Sequence, residues 1–141
     1  MKQLAILFIA IVSSWSSFAQ SVTLEIKNIR NLKGQLQVSV FENQDQFSDE
    51  KPAKTISFDK KDINNGTKHV TLELEPGIYG ISVLDDEDNS NDMTYRLGVY
   101  PREGVGFTGY KLSGMSKPKF ADFDFTVPQG SKSLLVDMKY F

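Results

Sequence analysis

Apolar and polar residues alternate along most of the chain beyond residue 20. Val22, Leu24 and Ile26 interleave with Thr23, Glu25 and Lys27, which predicts a strand over 21–29 with one face in a core, because successive side chains of an extended chain point to opposite sides. Asn31 to Gly34 supply a turn. Leu36, Val38 and Val40 repeat the alternation and predict a second strand over 35–42, paired with the first as a hairpin. Residues 43–52 are polar around Phe47, and read as a loop or short helical turn pinned by that ring. Ile56 and Phe58 mark a third strand, Asn64-Asn65-Gly66 a turn, and Val70, Leu72 and Leu74 a fourth strand. Pro76-Gly77 fits the central positions of a type II turn. A fifth strand follows over 78–84, where Gly80 and Ser82 share a face opposite Tyr79, Ile81 and Val83, so another element should pack closely over the small pair.

Beyond it, residues 85–94 are acidic and polar, and 95–119 are rich in Gly, Pro and Tyr, with short strands expected near 95–100 and 106–111. Excursions of that length tend to carry function or to be ordered by their own contacts. Phe123, Phe125 and Val127 alternate again, Pro128-Gln129-Gly130 turns the chain, and Leu134, Val136, Met138 and Tyr140 predict a last strand. A convincing helical period is missing. The pattern predicts an all-β fold, an antiparallel immunoglobulin-like or transthyretin-like β-sandwich of about seven strands.

The N-terminus changes the domain boundary. A short basic start (Lys2), an apolar run from Leu4 to Val12 and the small residues of Ser17-Phe18-Ala19 form a secretory signal, with cleavage expected after Ala19 and a single domain over 20–141. The apolar run is too short to span a bilayer, so stable membrane insertion after cleavage is not expected, and the protein should be periplasmic or secreted. Cysteine is absent, which excludes a disulfide scaffold, a thiolate-ligated metal and a thiol nucleophile. The formal net charge of −2 without a Lys/Arg cluster gives no reason to expect nucleic acid, whose binding rests on neutralising phosphates.

Candidate chemistry concentrates after strand five. In Asp85-Asp86-Glu87-Asp88-Asn89-Ser90-Asn91-Asp92, oxygen-bearing side chains at Asp86, Asp88, Ser90 and Asp92 repeat the alternating spacing of the first ligands of calcium loops. Clustered carboxylates repel one another and so invite a cation. An EF-hand proper is excluded, because Asn91 stands where glycine should turn the chain, Leu97 stands where the bidentate Glu should be, and flanking helices are missing. A calcium site in a sandwich loop stays open, with Glu103 as a further ligand; so does a solvated acidic turn. Tyr95, Tyr100, Phe107, Tyr110 and Phe120 form an aromatic set that either binds a sugar or peptide or caps the core. His69, the single histidine, should point outward from strand four. Gly104-Val105-Gly106 lacks the third glycine and the following helix of a phosphate loop, and no serine sits in a nucleophile elbow.

Leu84 to Asn91, the segment Gly98-Val99-Tyr100-Pro101-Arg102-Glu103-Gly104-Val105-Gly106-Phe107-Thr108, and Lys117-Pro118-Lys119-Phe120 through Phe125 resemble the bacterial domain of unknown function 2141 family. The family pattern pairs a Pro-Gly-x-Tyr block, here Pro76 to Tyr79, with an His-Asp-x-Asn-x-Asn acidic loop, a Glu-Gly-x-Gly-Phe block and a Pro-x-Phe block. Asp85 replaces the family's His, and Asp88 and Ser90 replace its two Asn. The resemblance implies a small exported β-sandwich with a shared loop cluster, and no activity. The expected role is a non-enzymatic exported module that binds a cation, a glycan or an envelope partner through its loop end, with Glu103, Gly104, Gly106, Phe107, Tyr95 and Tyr100 on the binding face. Two alternatives are a hydrolase or lyase with Asp86 and Glu103 as base and acid, and a purely structural envelope scaffold.

Overall fold

The computed structural model describes residues 18–91, 103–114, 116–127 and 132–141. Eight strands lie among them: β1 (Gln20–Lys27), β2 (Gln35–Phe41), β3 (Lys54–Asp59), β4 (Lys68–Leu74), β5 (Gly77–Asp86), β6 (Val105–Phe107), β7 (Asp124–Val127) and β8 (Lys132–Asp137). Two short helices, α1 (Gln44–Ser48) and α2 (Phe120–Phe123), also lie among the described residues. No helix among the described residues is long and apolar enough to cross a membrane.

The strands form two sheets. One has the order β4-β1-β8; the other runs β3-β2-β5-β6, with β7 pairing the first half of β5 on the edge that β6 continues. The alternation seen in the sequence explains why they stack. Val22, Leu24, Ile26, Val70, Leu72 and Val136 from the first sheet meet Leu36, Val38, Val40, Ile81 and Val83 from the second in one buried cluster. The β-sandwich expectation holds, with eight strands among the described residues in place of about seven.

Pairing departs from expectation in two places. β1 and β2 are not a hairpin: β1 lies between β4 and β8, whereas β2 lies between β3 and β5, so residues 28–34 carry the chain from one sheet to the other. β1 also pairs β8 in parallel, Leu24 opposite Leu134 and Ile26 opposite Val136, so the sandwich is not wholly antiparallel. Alternation fixes which side chains face inward; it carries no record of the neighbouring strand.

Turns and ends differ as well. Asn65 and Gly66 both have positive φ (50° and 73°) inside reciprocal Asn64–Thr67 backbone hydrogen bonds, the geometry of a tight two-residue turn. The type II expectation at Pro76-Gly77 fails: Gly77 is not among the glycines with positive φ, and it opens β5. β5 runs through Asp85 and Asp86, two residues further than expected. β6 is confined to 105–107, β8 ends at Asp137 with Lys139 making only a bridge to Val105, and the strand expected near 95–100 lies outside the described residues.

The expected close cover over Gly80 and Ser82 is present. A Cβ on Gly80 would lie 2.5 Å from the Phe123 ring and 2.9 Å from the Phe120 ring, so only glycine lets α2 seat there. Phe41, Phe47, Val105, Phe107, Leu112, Phe120 and Phe123 form a second buried cluster, on the face of the five-stranded sheet opposite the sandwich core. That face is therefore roofed. α1 contributes Phe47 to it, and the Asn43 side chain accepts a hydrogen bond from the Gln46 N–H to cap the helix start.

Candidate functional site

β5 delivers its last two residues to opposite faces, because an extended strand has a side-chain period of two. Asp85 shares the inner face with Ile81 and Val83, whereas Asp86 shares the outer one with Ser82 and Leu84. Both are fully buried. The acidic run expected to be one loop is thus two separate environments joined by a peptide bond.

On the inner side, Asp85 Oδ1 forms an ion pair with Lys60 Nζ, and these side chains are 0% and 1% exposed. Asp85 Oδ2 accepts a 2.6 Å hydrogen bond from the Tyr140 hydroxyl. Tyr140 in turn accepts from the Arg30 backbone N–H at 3.2 Å and lies beneath the Arg30 guanidinium, 4.5 Å from its ring centroid. Burial and the bond to Asp85 push the Tyr140 hydroxyl pKa upward. Arg30 reaches on to Glu87, with Nε 2.5 Å from Oε1 and Nη2 3.1 Å from Oε2, a two-point clasp that holds the Glu87 carboxyl below its usual range.

On the outer side, Asp86 Oδ1 accepts from the Ser90 N–H (3.0 Å) and hydroxyl (3.3 Å), while Oδ2 accepts from Gln35 Nε2 (2.9 Å), Gln37 Nε2 (3.2 Å) and the Asn91 N–H (3.2 Å). Burial pushes this carboxyl up, but the Gln35 amide and the Asn91 and Ser90 N–H groups outweigh it and hold the pKa below the ordinary value. Asp88 Oδ1 also accepts from the Ser90 N–H at 3.0 Å. Asn89 and Asn91, at φ 53° and 52°, turn the chain back over the carboxylates in the left-handed region that asparagine tolerates.

Glu103 completes this side. One carboxylate oxygen each from Asp86, Asp88 and Glu103 lies within 4.8 Å of the others. Asp88 is exposed and Glu103 half-buried, so the cluster opens outward from Asp86 at its base. Burial, then the charges of Asp88 and Asp86, push the Glu103 carboxyl up from 4.5 to about 7. Because folding raises this pKa, Glu103 contributes stability that is fully present below about pH 4.5 and is lost as pH rises through about 7. Glu103→Gln is expected to flatten that loss, read as a smaller difference between urea midpoints measured at about pH 5 and about pH 8; an unchanged difference would count against the assignment.

The remaining sequence candidates fall as follows. Ser90 is spent on Asp86 and Asp88, while Asp92, Tyr95 and Tyr100 lie outside the described residues. Gly104 and Gly106 are buried as close-approach residues: a Cβ on Gly104 would sit 2.4 Å from the Tyr140 ring, and one on Gly106 would sit 2.7 Å from Val136. They offer no binding face. Phe107 is fully buried and Phe120 is 8% exposed, with Tyr110 packed against them, so these rings serve as roof and core and not as an open platform. His69 is exposed, 4.0 Å from Glu25 Oε1, as expected of an outward strand residue.

Sequence reasoning missed Lys60, Gln35 and Gln37. The alternation of Gln35, Gln37 and Ser39 against Leu36, Val38 and Val40 reads as a wet face, yet Gln37 and Ser39 are 2% and 0% exposed beneath the roof. Lys60, next to Lys61, carries no local signal at all.

No match is found among curated proteins or among solved structures. Residues 24–134 match the family described as an uncharacterized protein conserved in bacteria, the domain of unknown function 2141, and the chain belongs to that family.

Proposed function

We propose that this protein is an exported, non-enzymatic β-sandwich module that binds a hard divalent cation, calcium in particular, through Asp86, Asp88 and Glu103. The observation that carries the reading is the approach of three carboxylate oxygens to within 4.8 Å of one another. Like charges held that close repel unless a proton or cation lies among them, and hard cations take oxygen ligands in flexible number. Asp86 supports the reading further, since its five donors fix the carboxylate before any ion arrives. Backbone oxygens and water would complete the shell. Export is inferred from the basic start, apolar run and Ser17-Phe18-Ala19 of the N-terminus.

A hydrolase or lyase with Asp86 as base draws less support. The donors to Asp86 hold its carboxyl pKa below the ordinary value, which keeps it ionised for a cation but makes it a poor proton acceptor. A glycan platform draws little from the described rings, which are occupied by packing.

Calcium chloride is expected to raise the melting temperature by several degrees over sodium chloride of equal ionic strength, because a ligand held only by the folded state, at about 100 times its Kd, stabilises by about 2.7 kcal/mol. Asp88→Asn, an exposed change that should leave the fold intact, is expected to abolish most of the shift. The same melting temperature with and without millimolar calcium would overturn the cation reading.

A further inference from the structure

Lys60 and Asp85 lie outside the cation cluster, on the other face of the sheet. Lys60 follows β3 and Asp85 is the last residue but one of β5, the two strands that flank β2. A buried ammonium wants three acceptors and a buried carboxylate several donors. Beyond each other, Lys60 Nζ and Asp85 Oδ1 have no hydrogen-bond partner among the described residues. The other carboxylate oxygen, Oδ2, is held at 2.6 Å by the Tyr140 hydroxyl. Gly104 makes that contact possible, since its missing side chain leaves the space the Tyr140 ring fills.

We propose that Lys60 and Asp85 are joined by an intramolecular amide bond between Nζ and Cγ. The two atoms left without other partners are the nucleophile and the leaving oxygen of that condensation. The ammonium passes one proton to Oδ1, and the neutral amine attacks Cγ. The negative charge that develops on Oδ2 falls on the Tyr140 O–H, which acts as an oxyanion donor. A second amine proton moves to Oδ1, which departs as water, and Oδ2 remains as the amide carbonyl, still bonded to Tyr140. Atoms and charges balance without a co-reactant, since an ammonium and a carboxylate give an amide and one water. Burial favours the product: two charges disappear, two of the three ammonium N–H donors go with them to leave a single amide N–H, and solvent is kept from reversing the step. The amide would staple β3 to β5 across β2.

Electrospray mass of the purified, denatured protein decides the matter. The expected mass is one water below that of the sequence after any signal cleavage, with a branched tryptic peptide joining the Lys60 and Asp85 segments and no cleavage at Lys60. Lys60→Met and Asp85→Ala are each expected to show their full sequence mass, and Tyr140→Phe a reduced joined fraction. A full-mass native protein cleaved normally at Lys60 would overturn the proposal. So would a water loss that persists in Lys60→Met, which would place the dehydration elsewhere.

Discussion

Phe47→Ala is expected to destabilise the protein by about 3–5 kcal/mol, the range for truncating a large buried aromatic. Phe47 is 1% exposed, and its ring centroid lies 5.3 Å from Phe41, 6.0 Å from Phe107 and 4.9 Å from Phe123, all near edge-to-face. The Lys117 ammonium sits 4.6 Å over the same ring. α1 has five residues, far below the length at which a helix holds in water alone, so the ring is what keeps it in place. Losing it opens a cavity between α1, α2 and the sheet. Urea unfolding should show the midpoint falling with little change in slope. A loss below about 1 kcal/mol would mean that the roof is not packed as a unit.

Gly34→Ala is expected to cost about 2–5 kcal/mol, combining left-handed strain with a backbone collision. Gly34 has φ 72°, and a Cβ there would lie 1.9 Å from the Asp86 carbonyl oxygen and 2.6 Å from Glu87 Cα. Neither obstacle is a flexible side-chain tip, so the exit of β5 must move. That displacement disturbs both carboxylate environments, and the variant is therefore expected to lose the calcium-dependent rise in melting temperature along with stability. A variant as stable as the parent would show that the 28–34 connection does not press on β5 as described.

The two substitutions separate what local sequence can specify from what it cannot. At Gly80 the sequence pattern was informative: a small pair on one face of a strand implies a close neighbour, and the rings of Phe120 and Phe123 are that neighbour. Phe47 within a polar stretch likewise marked an anchor. The acidic run was legible as a cluster of oxygens, and Glu103 as a residue brought back to it. Its division was not legible, since that depends on β5 continuing to Asp86 while β2 supplies partners as far as Gln35. The aromatic set stays open in the sequence between a binding face and a cap on the core, because rings in either role leave the same mark; Phe107 and Phe120 belong to the buried cap.

By itself the sequence determined the extended segments, their inward faces and several of their turns, because strand period and turn preference are properties of a few adjacent residues. Only the folded arrangement set β1 beside β8 and away from β2, roofed the polar face of β2, and brought Lys60 and Tyr140 each to Asp85 inside the sandwich. Those outcomes depend on contacts between residues as far as 110 positions apart, such as the Arg30 N–H with the Tyr140 hydroxyl. Hydrophobic burial rewards any arrangement that covers the apolar faces, so the choice among them falls to long-range packing and to the pairing of buried polar groups.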